Sequence, residues 1–440
     1  MLNLKLKYKR RGAYTEERKE RTEHKVIVDA PLSDTMIYPL NMHIGKPAEP
    51  IVEVGDHVKM GQLIAEKQGF VSANIYASVS GTVEAIKDMP SMHGPNRAIV
   101  IQNDFKDTPA PLLVEPNQHL TPQEKLALVE KAGIVGMGGA TFPTHVKLSP
   151  PKEKQIDTLI INGAECETYS TADHRLMIES ADDIIAGVKE LLSLFPIKQT
   201  YIAIETNVHD SVEALKRAIG DDTRIKIKEL ETLYPQGAEK QLIKTLVNRE
   251  VPSAGLPLDV HTIVANVSTV RAVYLAIQKG LPLLDRVTTL TGEPIKDPQN
   301  FRVRIGTPIQ VLIDASGGFV SKTGKMLHGG PMMGKPITSG QVPITKGTSV
   351  VTFLPKEEVK EDERTPCIKC AECLNVCPVS LQPILISNAY EKGDIDEAER
   401  LGAMDCIDCG NCSFICPANI PLLDNIRQAK TEIRARKEKA

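Results

Sequence analysis

Two runs of cysteines near the end of the chain constrain its structure more than any other feature. Eight of the nine cysteines of this 440-residue chain lie in them: Cys367, Cys370, Cys373, Cys377, Cys406, Cys409, Cys412 and Cys416. Each run reads Cys-x-x-Cys-x-x-Cys-x-x-x-Cys-Pro, a spacing typical of [4Fe–4S] ligation in which the fourth cysteine binds the other cluster. The sequence therefore predicts two clusters. One is bound by Cys367, Cys370, Cys373 and Cys416, and the other by Cys406, Cys409, Cys412 and Cys377.

Two other uses of cysteine fit this pattern less well. A zinc site takes two Cys-x-x-Cys pairs, and it would leave the middle thiolates of both runs unused. A disulfide framework is typical of short secreted chains, whereas this chain is long and shows no apparent secretion signal. We therefore expect a protein that moves electrons one at a time.

Composition argues against several functional classes. The net charge is −3, only 4% of residues are aromatic and there is no tryptophan, so little suggests nucleic-acid binding. No apolar run reaches the ~20 residues that a membrane helix needs, and the first residues lack the apolar core of a signal peptide. The length predicts three or four domains, and we expect a cytosolic protein or a subunit on the cytosolic surface of a membrane complex.

The first two predicted parts are a basic arm over residues 1–35 and a small β module over residues 36–105. The arm carries Lys5, Lys7, Lys9, Arg10, Arg11, Arg18, Lys19 and Arg21. A charge run is usually solvated, so we predict a solvated arm; docking onto a partner or an anionic membrane is the open alternative. In the module, "VEVGDHVKMGQLIAE" and "ASVSGTVEAI" resemble the barrel-sandwich fold of biotinyl and lipoyl carriers. No lysine occurs between Lys67 and Lys87, so the module is predicted to be a scaffold without a swinging arm.

Residues 118–275 are predicted to form an α/β domain. A capping box at Thr121 and Glu124 begins a helix that leads into a glycine cluster over residues 133–143. Strands over 156–162, 200–205 and 225–230 alternate with helices over about 180–194 and 211–219, which indicates a three-layer, largely parallel fold. Such folds bind ligands beyond the strand ends, where Asn162 and Glu165 lie.

Several phrases together identify a family. "GMGGATFPTHVKL", "INGAECETYSTADHRLM", "YPQGAEKQLI" and "VANVSTV" resemble the FMN- and NADH-binding subunit of respiratory complex I and its hydrogenase and formate dehydrogenase relatives. With a β module in front and two cysteine runs behind, the order resembles the C subunits of Rnf electron-transport complexes. The resemblance implies a Rossmann-like domain that binds FMN and NAD(H).

The resemblance also implies site residues. Those expected to line FMN are Gly136, Gly138, Gly139, Lys147, Asn162, Glu165, Cys166, Tyr234, Gly237, Ala238, Glu239, Asn266 and Thr269. Those expected to contact NADH are Phe142, Glu167 and Glu239. The sequence departs from the complex I pattern at Met137, Ala164, Cys166 and Ala238, where that pattern has arginine, an acidic residue, serine and glutamate.

The remaining parts follow the same resemblance. "RVTTLTGEP" and "VRIGTPIQVLIDASGG" resemble the soluble-ligand-binding β-grasp domain, predicted over 284–354 with strands at 287–291 and 303–305 leading into residues 306–313. We assign no chemistry to the loop over 329–334 and a structural role to His328. A charged linker over 355–365, a helical two-cluster domain over 360–425 with helices at 381–390 and 394–401, and a frayed basic tail over 426–440 complete the chain.

The predicted function is exchange of a hydride between NADH and FMN, followed by passage of single electrons through the clusters. The partners would be membrane subunits of an ion-pumping complex at the cytoplasmic face of a bacterial membrane, with ferredoxin engaged indirectly. The cofactors carry the redox chemistry, so no side chain is predicted to be a general acid or base. The alternatives are a cobalamin-reductase-type flavo-iron-sulfur protein and a wiring subunit without NADH turnover. The cysteine runs argue against the A subunit of the sodium-pumping quinone reductase.

Overall fold

The N-terminal quarter of the chain folds into a sandwich of two small sheets. In the computed structural model, which describes residues 11–151, 153–359 and 363–439, a first strand β1 (Ile27–Asp29) precedes the sandwich and belongs to a different sheet. The sandwich strands are β2 (Thr35–Pro39), β3 (Glu49–Pro50), β4 (His57–Val58), β5 (Leu63–Glu66), β6 (Ile75–Tyr76), β7 (Gly81–Met89) and β8 (Asn96–Asn103). One sheet has the order β2-β8-β7-β4 and the other β3-β5-β6.

The next part is a three-layer α/β domain. Its elements are α1 (Pro122–Lys131), α2 (Thr144–Lys147), β9 (Thr158–Gly163), α3 (Ala172–Glu179), α4 (Ala181–Leu192), β10 (Gln199–Glu205), α5 (His209–Ile219), β11 (Ile225–Leu230), α6 (Glu239–Val247), β12 (Thr262–Asn266) and α7 (Val267–Lys279). The four strands are parallel in the order β11-β10-β9-β12. Alternate strand residues face α4 and α7 on one side and α6 on the other, because the side-chain period of a strand is two.

A six-stranded sheet follows, and it takes its edge strand from the N-terminus. Its elements are β13 (Asp285–Thr291), β14 (Gln299–Arg304), α8 (Ile309–Ala315), β15 (Thr323–His328), β16 (Lys335–Ile337) and β17 (Val350–Pro355), with the sheet order β1-β14-β13-β17-β15-β16. Residues 309–313, which the sequence suggested as a continuation of strand, are helical. Pro308 immediately precedes α8, and Ile309, Leu312 and Ile313 form its buried face at helical spacing.

The N-terminal segment (residues 11–29) packs on the protein, so the prediction of a solvated arm is wrong for these residues. Lys19 and Thr22 are buried, and Arg21 donates to the carbonyl oxygens of Gly292 and Ile295. The Lys19 ammonium donates to the carbonyl oxygen of Glu165, so backbone oxygens satisfy both cations and burial does not leave them unpaired. The predicted arm residues Lys5, Lys7, Lys9 and Arg10 lie outside the described residues.

The C-terminal domain is helical, as predicted. Its helices are α9 (Glu372–Asn375), α10 (Pro383–Glu391), α11 (Ile395–Arg400), α12 (Asn411–Phe414) and α13 (Leu422–Lys439). The prediction of a frayed tail is wrong for α13, because Ile426, Ala429 and Ile433 lie at helical spacing and are buried in the core of this domain. Within the described ranges, no helix is long and apolar enough to span a bilayer.

A buried lysine joins three parts of the molecule. Lys346, in the loop before β17, is 1% exposed, and its ammonium donates to the carbonyl oxygens of Asn74 in the sandwich and Gly133 in the α/β domain. Burial lowers the pKa of Lys346 to about 7. Folding therefore disfavours the charged ammonium, because its two carbonyl acceptors carry no full negative charge to offset its burial.

Lys346 should make the free energy of unfolding depend on pH in the alkaline range. Because the pKa of this lysine is about 7 in the folded protein and about 10.5 unfolded, the unfolded state binds more protons between these values, and stability should rise with pH there. Lys346→Met should remove this rise, worth a few kcal/mol at about 1.4 kcal/mol per pKa unit. Urea unfolding of both proteins at several pH values measures it. The exposed Lys106→Met variant should keep the rise, and a Lys346→Met protein that keeps it would contradict the argument.

Candidate functional site

The glycine cluster forms a loop between α1 and α2 that is closed by its own backbone. The Gly136 N–H donates to the carbonyl of Phe142 at 2.8 Å, and the Thr141 N–H donates to the carbonyl of Gly136 at 3.1 Å. The hydroxyl of Thr269, on α7, accepts from the Met137 N–H at 2.8 Å. These bonds close the loop on itself and hold it against α7.

Gly138 and Gly139 form the exposed tip of this loop. Gly139 has a φ of +103°, a conformation that residues with a side chain rarely adopt. A Cβ on Gly138 would lie 3.3 Å from the Cβ of Asn266. Without side chains, the tip leaves room for a phosphate or a planar ring to approach the backbone N–H groups.

Two asparagines end neighbouring parallel strands beside this tip. Asn162 on β9 and Asn266 on β12 are partners in the strand register. Asn162 Nδ2 donates to the carbonyl of Gly237 at 2.9 Å, and Asn266 Oδ1 caps α7 by accepting from the Ser268 N–H at 2.9 Å. The site thus lies at the carboxyl edge of a parallel sheet, where α/β folds bind ligands.

Lys147 and Glu239 meet on one side of the site. Lys147 ends α2, and its ammonium lies 3.1 Å from Glu239 Oε1 and donates to the carbonyl of Val264 at 2.9 Å. Glu239 begins α6, directly after Ala238, and both members of the pair are partly exposed. An anionic ligand at Lys147 would compete with Glu239 for the same ammonium.

The carboxylates of Glu165 and Glu167 are both occupied by protein donors. Glu165 accepts from Ser170 Oγ at 2.6 Å and from the N–H groups of Asp173 and His174 at 3.1 Å. Glu167 accepts from the Met332 N–H at 2.8 Å, and burial raises the pKa of Glu167 to about 7. The loop to which we assigned no chemistry therefore has a structural role beside the site.

The thiol of Cys166 lies between these two carboxylates in sequence and faces Gly237. A Cβ on Gly237 would approach the Cys166 sulfur to 3.2 Å and the carbonyl oxygen of Ala164 to 2.4 Å. Burial raises the pKa of the Cys166 thiol. Cys166, the cysteine outside the two runs, is therefore a neutral thiol at the edge of the candidate site.

The second cysteine run packs directly on this part of the α/β domain. The Tyr234 hydroxyl donates to the carbonyl of Cys409 at 2.8 Å, and Asn411 Nδ2 donates back to the carbonyl of Tyr234 at 3.2 Å. A Cβ on Gly410 would come within 2.7 Å of the carbonyl oxygen of Met332. Tyr234 and the Met332 loop thus connect the strand ends to the cluster domain.

The thiols of the two runs form two mixed groups. Burial, and then the thiols of Cys416, Cys370 and Cys367, raise the pKa of Cys373. Burial and the thiols of Cys406, Cys409 and Cys377 raise the pKa of Cys412 to about 12. The thiols that act on Cys373 and on Cys412 thus come from both runs, and the assignment of four ligands to each cluster stays a prediction.

The backbone repeats between the runs in the same way. Residues with left-handed backbone conformation lie at equivalent positions, namely Lys369, Ala371 and Ser380 in the first run and Asp408, Gly410 and Asn419 in the second. In the described part of the chain, no three His, Cys, Asp or Glu side chains stand close enough to share one metal ion. A [4Fe–4S] cluster does not need this, because its four thiolates bind different irons. The donor set fits two such clusters.

Family models match the chain in four parts. They are the RnfC barrel sandwich hybrid domain over residues 7–106, the Nuo51 FMN-binding domain over 129–275, the SLBB domain over 287–336 and the 4Fe-4S dicluster domain over 358–417.

Relatives match almost the whole chain. The C subunit of the proton-translocating ferredoxin:NAD(+) oxidoreductase complex of Clostridium ljungdahlii is 44% identical over 99% of this chain and 96% of that protein. The C subunit of the Na(+)-translocating ferredoxin:NAD(+) oxidoreductase complex of Acetobacterium woodii is 43% identical over 97% of each. The chain belongs to the RnfC family. The C subunit of the ion-translocating oxidoreductase complex of Rhodobacter capsulatus is also similar, at 41% identity over 98% of this chain and 84% of its own length.

The family that the sequence phrases indicated is thereby confirmed. FMN and the two [4Fe–4S] clusters, the cofactors predicted for this RnfC chain, are confirmed by the two matching domain models. Among solved structures, an NAD+-reducing [NiFe]-hydrogenase in the H2-reduced state is 16% identical over 71% of this chain and 63% of its own, with a TM-score of 0.49, a likeness too weak to argue from. The individual ligands of each cofactor stay predictions.

The structure adds residues that the sequence phrases did not single out. Asp173 accepts from Asn266 Nδ2 at 2.6 Å, and burial followed by Glu165 raises the pKa of Asp173 to about 6. Arg286 is buried and donates to the carbonyl of Lys346 at 2.7 Å, behind the glycine loop. Asp173 lies within the phrase "TADHRLM" and Arg286 begins the phrase "RVTTLTGEP", so both could have been noticed there, although neither phrase shows that its charged residue is buried.

Proposed function

We propose that this RnfC chain is the NADH-reactive subunit of a ferredoxin:NAD+ oxidoreductase that pumps ions. The supporting observation is similarity over nearly the full length to two relatives whose names carry that activity, at 44% and 43% identity. When bound, FMN accepts two electrons with a hydride and gives them up singly, which joins a nicotinamide to one-electron clusters. The chain itself binds, orients and shields these groups.

We assign the FMN contacts to the glycine loop and to residues at the carboxyl edge of the parallel sheet. They are Gly136, Gly138, Gly139, Lys147, Asn162, Glu165, Cys166, Tyr234, Gly237, Ala238, Glu239, Asn266 and Thr269. The open N–H groups of the tip and the Lys147 ammonium are suited to an anionic phosphate. Glu165 and Thr269 hold backbone N–H groups, so their role is to keep the shape of the site.

We assign NADH to the exposed side of the loop, with Phe142 and Glu239 as contacts. Both are partly exposed, and Glu239 would be released when a phosphate engages Lys147. Glu167 was also predicted to contact NADH. For that role its carboxylate would have to leave the Met332 N–H.

The packing suggests an order for the two clusters. Cys409 and Cys412, in the group nearest the α/β domain, are buried, and Tyr234 bonds to the Cys409 carbonyl. Cys367 and Cys370, in the other group, are exposed. We therefore assign the second run, with Cys377, to exchange with the flavin site and the first run, with Cys416, to exchange with a partner protein.

The partners we propose are membrane subunits of the same complex. The relatives are named as subunits of complexes. The cluster predicted on the first run has exposed ligands, so a partner protein bound over it could exchange electrons with it. Because NADH and ferredoxin are cytoplasmic carriers, we place the chain at the cytoplasmic face of the membrane.

Anaerobic purification followed by titration with NADH tests the proposed function. We expect about eight irons and a matching amount of sulfide per chain, from two clusters, together with one FMN. NADH should bleach the flavin and then reduce the clusters. Four irons, no flavin, or a bound flavin that NADH does not reduce would contradict the proposal.

A further inference from the structure

A partly open cavity lies beside Cys166, one strand away from the glycine tip. It offers about 90 Å³ of room for water. Its walls come from the end of β10, the loops after β9 and β11, and the N-terminal segment, which contributes Tyr14, Glu17 and Lys19. Tyr14 is 75% exposed, so the N-terminal segment forms the side of the cavity that faces solvent.

Two buried polar atoms in these walls have no hydrogen-bond partner among the described residues. They are Oε1 of Glu205, a residue that is 1% exposed at the end of β10, and Oγ1 of Thr168, a residue that is 7% exposed. Buried polar groups are nearly always satisfied by protein or by ordered water. A buried water needs roughly 10–15 Å³ and two to four polar partners, so this cavity has the size and the chemistry for a small group of waters.

The charged groups around Glu205 come from different elements of the fold. The Lys19 ammonium donates to the carbonyl of Glu165 and lines the cavity, while Glu17 lies on the same segment. Tyr14, Cys166 and Tyr234 complete the titratable groups of the lining. Burial raises the pKa of Glu205 to about 7; Lys19 opposes the rise, and Glu165 and Glu17 add to it.

We propose that this cavity holds ordered water and that Glu205 is a proton-holding group for the flavin site, an inference that rests on the proposed function. A hydride carries one proton and two electrons, so its arrival adds one negative charge beside Cys166. Glu205 would compensate by taking one proton from solvent through the cavity water. When the two electrons pass to the clusters, two protons are released to solvent: the one that arrived with the hydride and the one held by Glu205. The site then has its original charge.

The pH dependence of the flavin midpoint potential tests this proposal. It is measured on the full chain with FMN bound, by anaerobic titration followed through the flavin absorbance, between roughly pH 5 and pH 9 to bracket a carboxyl that titrates near 7. In the wild type, the plot of potential against pH should change slope where Glu205 titrates. Glu205→Gln should lose that change of slope, and the infrared difference spectrum on reduction should lose one protonated-carboxyl band.

Two further variants make the test specific. Glu205→Asp keeps a carboxyl and should keep a change of slope, and Glu229→Gln removes an exposed carboxyl from the neighbouring strand β11 and should change nothing. Identical plots for the wild type and Glu205→Gln would overturn the proton-holding role while leaving the proposed function intact. A wild-type chain that binds no FMN would overturn both.

Discussion

Replacing Cys377 with alanine is expected to lower the iron content from about eight per chain to four or fewer. The Cys377 thiol belongs to the group around Cys412, which otherwise comes from the second run. A [4Fe–4S] cluster with three thiolates leaves one iron without its protein ligand. Because the exchange of fourth cysteines ties the two runs together, loss of this thiolate should also disturb the geometry of the cluster on the first run.

Iron and sulfide analysis of anaerobically purified protein measures this effect. Cys166→Ala is the matched control, since it removes the one cysteine outside the two runs and should keep all the iron. Cys416→Ala should behave like Cys377→Ala, because it is the reciprocal member of the exchange. A Cys377→Ala protein that retains about eight irons would contradict the assigned exchange.

Gly138→Val is expected to abolish most FMN binding while the clusters remain. A Cβ at this position would already lie 3.3 Å from the Asn266 Cβ and 3.5 Å from its Nδ2, and valine adds two methyl groups to the exposed tip. Overpacking typically costs about 1–3 kcal/mol, which corresponds to roughly ten- to hundredfold weaker binding. Titration of the flavin-depleted protein with FMN, followed by flavin fluorescence, measures the change.

The iron content provides an internal control for the Gly138→Val protein. It should stay at about eight per chain, because the cysteine runs lie in a separate domain with its own core. Ala140→Val places the same side chain at an exposed position of the same loop that is not assigned to FMN, and it should bind FMN normally. Unchanged FMN affinity in Gly138→Val would contradict the assignment of the glycine tip.

Local patterns in the sequence predicted most of the secondary structure near the site. The capping box at Thr121 and Glu124 is present at the start of α1, and residues 225–230 form β11 over the predicted range. Residues 309–315 were harder, because a short apolar run fits either a strand or a buried helix when only its periodicity is considered. The contacts of α8 in the core decided between them.

The N-terminal segment shows why charge runs are difficult to interpret. Lys19 and Arg21 look like solvated cations, since the neighbouring sequence is charged throughout and contains Glu17, Glu20 and Glu23. Their partners are the carbonyl oxygens of Glu165, Gly292 and Ile295, far along the chain. The same problem hid Lys346, whose acceptors Asn74 and Gly133 belong to two other parts of the molecule.

The sequence by itself determined the chemistry of this protein, because the spacing of its cysteines and the order of its phrases identify the cofactors and the family. Tertiary structure decided which groups lie next to each other. It placed Tyr234 against Cys409, the Met332 N–H on Glu167 and Glu205 beside a water-sized cavity. These contacts join residues far apart in the chain, and their energies depend on burial and distance, which residue order does not specify.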